Sequence, residues 1–340
     1  MLPTAWFVVL SFMLAGYAVL DGFDLGVGAL HLFTGRSPQA REMAIDAIGP
    51  VWNGNEVWLL AAGGSMVVAF PHLYAAAFSG FYLALMLVLW LLVVRGLSIE
   101  FRHQVRHPLW TDAWDAAFAV ASILLAVLFG AAFGNVLRGV PLDEDGSFRG
   151  SFALLLNPFA LLCGVLSLAT LSLHGAAYLS LRASGELEAR ASKLVLPLWA
   201  ASIALLLAVV AASFVVQPGF TGNFGRWPLL LIFPLAAAAA AAALPVLHRA
   251  GKPAQAFAAS SALIAAALAS AAAGLYPRLL PALPGSAHPS LDIYNTASAP
   301  SSQGIALSVY LVGMAIVIVY MTNVYRVWRG RLGDEQIYKV

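Results

Sequence analysis

The stretch Gly49–Gly64, GPVWNGNEVWLLAAGG, sets two asparagines and a glutamate between tryptophans, at the head of a segment that runs apolar as far as Phe70. Whether this stretch crosses a membrane or lies outside one decides the topology of the whole chain. The composition gives the setting. Of 340 residues 61% are hydrophobic and only 10% charged, with a mean hydropathy of +0.85. Soluble domains carry about 25% charged residues. The chain has too little polar surface to face water on all sides, so it reads as an integral membrane protein.

Other bulk features narrow the class. A formal net charge of +2 gives no reason to expect a nucleic-acid partner. The single cysteine, Cys163 in LLCGVL, excludes an internal disulfide and a cysteine-rich metal site and reads as a small core residue. The first Lys or Arg is Arg36, so no positive region precedes the first apolar run and no cleavable leader is expected.

About 20 apolar residues cross a bilayer core. Eight such segments stand out, near 5–30, 74–95, 115–137, 153–180, 194–216, 228–247, 255–275 and 305–326. The ninth candidate is 49–71, whose hydropathy is lowered by Asn53, Asn55 and Glu56. Charge arbitrates, because Lys and Arg gather in cytoplasmic loops. With nine spans, all but four of the 18 Lys and Arg residues follow odd-numbered spans; the exceptions are Arg138, Arg149, Arg226 and Arg278. With eight, Arg36 and Arg41 would change sides and oppose the trend. The sequence therefore predicts nine spans in a single transmembrane domain, 1–340, with the N-terminus outside and the C-terminus in the cytoplasm. Two connections are long: 138–152, with Asp143, Glu144 and Asp145, is expected to be a solvated loop. The proline-rich 276–304 is expected to be an ordered cap over the outer face.

Ionisable groups inside a membrane cost about 2.5–3.5 kcal/mol each even on lenient scales, which makes them functional candidates. Three acids qualify, Asp21, Asp24 and Glu56, and no Lys or Arg is expected well inside any span. In the first span Tyr17, Asp21, Asp24, Gly28 and His31 follow at steps of four, three, four and three, one face of a helix. At 1.5 Å per residue Asp24 lies about 28 Å along the first span, and Glu56 about 10 Å into the second from its cytoplasmic end. Asn53 shares the face of Glu56. Carboxyl groups, an imidazole and trapped water can relay protons, since each accepts and donates. The alternative is structural: Asp21 and Asp24 bonding backbone freed by nearby glycines, and Asn53 and Glu56 pairing with a neighbouring helix. His174, alone within LSLHGAAY, reads as a helix–helix hydrogen bond rather than a haem ligand. His103 and His107 lie at a basic edge with no third ligand.

The pair DGFDLGVGAL (21–30) and GPVWNGNEVWLLAAGG (49–64) resembles subunit II of the cytochrome bd quinol oxidases, including the cyanide-insensitive branch. YAAAFSGFYLAL (74–85), AFGNVLRGVP (132–141) and LLNPFALLCGV (155–165) agree in order. The resemblance implies an all-α membrane protein of nine helices, arranged as two four-helix bundles and one peripheral helix, in the bacterial inner membrane. It implies a heterodimer with a haem-bearing subunit I that carries haems b and d, or b only, and the quinol site, and a possible small single-helix subunit. This chain would bind no haem, stabilise its partner, and lend residues to a proton path from the cytoplasm: Asp24, Glu56, Asn53, Asp21 and His31. Trp52, Gly54, Asn55 and Trp58 of the second motif would belong to the subunit interface. One departure matters. Better-known members carry an aspartate of the proton path at the position of Asn53, which cannot titrate, so the role falls to Glu56 or to acids of subunit I.

A reading from a different class is a proton-coupled transporter with its site at Asp21, Asp24 and Glu56. Such proteins often show inverted repeats and broken helices, and neither is visible in the sequence.

Overall fold

The computed structural model describes residues 1–332. The described residues are mainly helical, with one small pair of strands. Its helices are α1 (Leu2–Thr34), α2 (Pro38–Ile48), α3 (Trp52–Ala69), α4 (Pro71–Gly80), α5 (Tyr82–Phe101), α6 (Pro108–Arg138) and α7 (Phe152–Leu155). They continue with α8 (Pro158–Arg182), α9 (Gly185–Val216), α10 (Gly222–Arg226), α11 (Ile232–Arg249), α12 (Pro253–Leu275) and α13 (Pro300–Val327). Among the described residues eight helices are long and apolar enough to cross a membrane. The stretch 49–71 contains α3, a helix of 18 residues that lies along α1 but falls outside those eight.

The sequence sets the helix starts locally. Proline stands at the first turn of α2, α4, α6, α8, α12 and α13, where its missing N–H costs nothing. Side chains cap three of them: Ser37 accepts from Ala40 N (3.2 Å), His107 Nδ1 from Leu109 N (3.2 Å) and Asn157 Oδ1 from Ala160 N (3.0 Å).

α1 is the centre of the packing and touches α3, α6, α8 and α12. It reaches α8 by backbone contact. A Cβ at Gly26 would collide with the Leu171 carbonyl, and one at Gly175 would collide with the Gly26 backbone, so only a glycine pair lets these helices meet. Asn135 and Asn157, from the two later motifs, hold α6 to α8. Asn157 Nδ2 donates to Asn135 Oδ1 (2.9 Å), and Asn135 Nδ2 donates to the Leu155 carbonyl (2.7 Å).

The connection 138–152 is not a solvated loop. Val140 and Leu142 are buried, and the segment is stitched to 276–304 by Val140 N to Pro281 O (2.9 Å), Leu283 N to Val140 O (3.0 Å) and Ala287 N to Leu142 O (3.0 Å). Alternation of apolar residues with Gly139 and Pro141 explains this: Gly139 takes φ +93, with the Pro281 carbonyl too close for a Cβ. The proline-rich segment is ordered, with β1 (Arg278–Leu280) antiparallel to β2 (Leu291–Asp292). Together the two connections close the end of the bundle where α1 begins, over Trp6, Phe7, Phe70 and Leu73.

A second correction concerns charge. Arg95, read as a loop residue at the end of a span, lies inside α5, buried to 1% exposure. The segment 74–95 is two helices joined at Phe81, and α5 continues to Phe101, past the charge at which a hydropathy reading stops.

Candidate functional site

The face of α1 that carries Tyr17, Asp21, Asp24, Gly28 and His31 is wholly buried against neighbouring helices. Two polar clusters form on it, one at Asp21 and Asp24 and one at His31. In the first, Arg95 Nη1 donates to Asp21 Oδ2 (2.8 Å) and Arg95 Nη2 to Asp21 Oδ1, a two-point ion pair between α5 and α1. Pairing of this kind offsets the cost of burying the two charges. One turn on, Asn55 Nδ2 of α3 donates to Asp24 Oδ2 (2.8 Å), and the Tyr325 hydroxyl of α13 donates to Asn55 Oδ1 (2.9 Å). Asp24 Oδ1 and the Tyr17 hydroxyl are buried without a partner among the described residues, so the cluster retains capacity for water.

The second cluster centres on an acid the sequence reading passed over. Asp115 of α6 accepts from Arg102 Nε (2.7 Å) and lies 2.8 Å from His31 Nε2, while Arg41 Nη1 of α2 reaches its other oxygen (3.3 Å). Asp115 is 1% exposed and His31 0%. The group ties α1, α2, α5 and α6 together at the end where α1 stops.

Asn53 and Glu56 belong to neither cluster. Asn53 is exposed and Glu56 half-buried on the outward side of α3, and no ion pair among the described residues includes Glu56. The inward side holds Trp52, Asn55, Trp58, Ala62, Ser65 and Ala69. Trp58 packs on Gly16 of α1, and Gly54 faces Met321 of α13. The steps of three and four along that inward row were the available signal that Asn55, rather than Asn53, meets the first helix.

His174 does not fit a haem ligand. His174 spends both ring nitrogens inside the chain, with Nδ1 at 2.7 Å from Ser260 Oγ and Nε2 at 3.0 Å from the Val19 carbonyl. Its ring stacks on Phe257, centroids 4.8 Å apart, which fixes the imidazole in that orientation. His31 Nε2 is held by Asp115, while its Nδ1 has no partner among the described residues, where no group of three metal-ligating side chains occurs.

Comparison with known proteins agrees along the whole length. The family model described as cytochrome bd terminal oxidase subunit II matches residues 2–328. The probable cytochrome oxidase subunit 2 of Haemophilus influenzae is 36% identical over 355 residues, covering 95% of this chain and 92% of that protein. The cytochrome bd-I ubiquinol oxidase subunit 2 of Escherichia coli K12 is 32% identical over 369 residues, covering 98% and 95%. In solved structures, a chain of the bd oxidase from Geobacillus thermodenitrificans shares the fold, with a TM-score of 0.79 at 17% identity over 96% of this chain and 98% of that one.

Proposed function

This chain belongs to the cytochrome bd terminal oxidase subunit II family, and on that premise we propose how it serves the enzyme. It is a multi-pass membrane subunit of a bd-type quinol oxidase, a haem-containing complex in which it works with subunit I. The transporter reading is not favoured.

In the proposal the chain holds no redox centre. Haems b and d, or b only, and the quinol site lie on subunit I, the partner in a heterodimer to which a small single-helix subunit can be added. α3 counts as the ninth span, the N-terminus faces the outside of the bacterial inner membrane, and the C-terminus faces the cytoplasm. Reduction of O₂ to water consumes protons as well as electrons, and this chain conducts some of those protons from the cytoplasmic side. Glu56, on the outward face of α3 beside Asn53, accepts protons where the partner docks. Asp24, with Asn55 and Tyr325 behind it, gives a proton-exchanging group one helix further in, while Asp21 is neutralised by Arg95 and serves structure. His31, clamped by Asp115, fixes the cytoplasmic end of α1.

The observation that carries this reading is the half-buried, unpaired carboxyl of Glu56 on a membrane-level helix face. An acid in lipid without a partner costs several kcal/mol, so that face is better explained as covered by protein and water. Oxygen consumption of the complex carrying Glu56→Gln tests it. Turnover at saturating quinol is expected to drop at least fivefold with haem content unchanged; turnover equal to the parent would make Glu56 structural.

A further inference from the structure

Arg182 closes α8 and is 7% exposed, yet among the described residues it lies within salt-bridge distance of no carboxylate. Its Nη1 is buried without an acceptor among the described residues. The carbonyls at a helix C-terminus favour a cation there, and the Tyr178 hydroxyl lies close to the guanidinium, but neither brings the full negative charge that a guanidinium pairs with. A charge left unpaired in a buried place is costly, and a guanidinium is built to grip an anion at two points.

The surroundings supply the rest of a site. Arg182 lines a cavity of about 150 Å³ with Tyr178, Pro50, Phe257, Tyr325 and Arg329. At about 30 Å³ per water, that is the room of roughly five waters, enough for one phosphate group. Arg329 brings a second guanidinium that also has no carboxylate partner among the described residues, whereas nearby Arg331 is already paired with Glu188 (2.8 Å). The Tyr178 hydroxyl is spent on the Ala47 carbonyl (2.7 Å), which fixes one wall. Tyr325 and Arg329 are shared with a larger open groove of about 400 Å³, lined by Leu20, Trp58, Ile318 and Met321. A charged pocket therefore adjoins a mostly apolar trough between α1, α3 and α13, which also carries Thr322 and Arg326.

We infer that Arg182 and Arg329 form a phosphate-binding site, filled either by the headgroup of an anionic phospholipid whose acyl chain lies in the trough or by soluble phosphate. The shape favours the lipid, because a free ion would leave the trough unused. Such a ligand neutralises Arg182 and staples α8 to α13, beside the start of α3.

The whole oxidase complex, stripped of loosely held lipid in detergent, would be examined by native mass spectrometry after addition of phosphatidylglycerol or, separately, inorganic phosphate. The wild type is expected to retain one phosphatidylglycerol per complex through activation that removes phosphatidylcholine. Arg182→Gln and Arg329→Gln should each cut that retention at least tenfold, with parental haem bands as the check on assembly. Retention of inorganic phosphate instead, lost in the same variants, assigns the site to the soluble ion. If Arg182→Gln does not assemble, Arg329→Gln, at an exposed position, decides. Wild type retaining neither probe, or variants retaining either as the wild type does, would overturn the site.

Discussion

Arg95 on α5 and Asp21 on α1 form a two-point ion pair closed off from the outside, with the two side chains 1% and 0% exposed. Truncating one member leaves the other charged and buried, at about 3–5 kcal/mol, whereas replacing both by apolar residues is often near neutral. Arg95→Leu is therefore expected to abolish most of the assembled complex, measured as haem recovered with a tag on this chain. The double variant Asp21→Leu/Arg95→Leu should recover much of it. Equal losses in single and double variants would show that the pair does more than neutralise itself.

Asn55 stands between Asp24 and Tyr325, donating to one and accepting from the other. Asn55→Leu strands both groups, and each buried polar group left unsatisfied costs about 1–3 kcal/mol. Thermal unfolding of the complex, followed by its haem bands, is expected to shift to lower temperature. Oxygen consumption should fall by more than the loss of haem accounts for, since Asp24 loses the donor that holds its carboxylate. A variant that unfolds like the parent would show that the Tyr325–Asn55–Asp24 chain carries no weight.

Gly26 and Gly175 let α1 and α8 touch backbone to backbone. Overpacking a filled interior costs about 1–3 kcal/mol, and here the obstacle is main chain that cannot rotate away. Gly26→Ala should lower the unfolding temperature of the complex and reduce its yield. Parental stability would mean that the two helices have room to separate.

Asp46 of α2 lies outside the long membrane helices. Burial first, then the neighbouring Glu42 charge, raise its carboxyl above the ordinary value, with His103 and Arg102 pulling the other way. The folded chain thus holds this proton more tightly than the unfolded chain does. Its contribution to stability is present below the ordinary carboxyl range and is lost as pH rises through the raised folded value. Asp46→Asn should raise the unfolding temperature near neutral pH, and the difference should vanish in acid; no gain at neutral pH would contradict the assigned environment.

The acids of α1 were legible because Tyr17, Asp21, Asp24, Gly28 and His31 repeat at helical spacing, and the structure buries that face as a unit. Arg95 was not legible. Hydropathy ends a span at its first charge, and only the three-dimensional register of α5 against α1 shows that the charge is inside and matched. Asp115 was hidden for the same reason, since its partners Arg102, Arg41 and His31 come from three other parts of the chain. In α3 the chemistry of the letters drew attention to Asn53 and Glu56, while the packing row at steps of three and four placed Asn55 on α1. The loop at 138–152 misled because its three acids mask Val140 and Leu142, whose burial depends on a segment more than a hundred residues later.

The central claim, that this chain is a haem-free subunit on which a haem-bearing partner depends, meets its most direct test in a reduced-minus-oxidised optical spectrum. The chain would be tagged at its C-terminus and purified gently, once from membranes that contain the partner subunit and once after expression without it. Haem bands in the first preparation and none in the second are the predicted result. Haem in both would contradict the account, and would require His174 to give up its bonds to Ser260 and Val19 for iron.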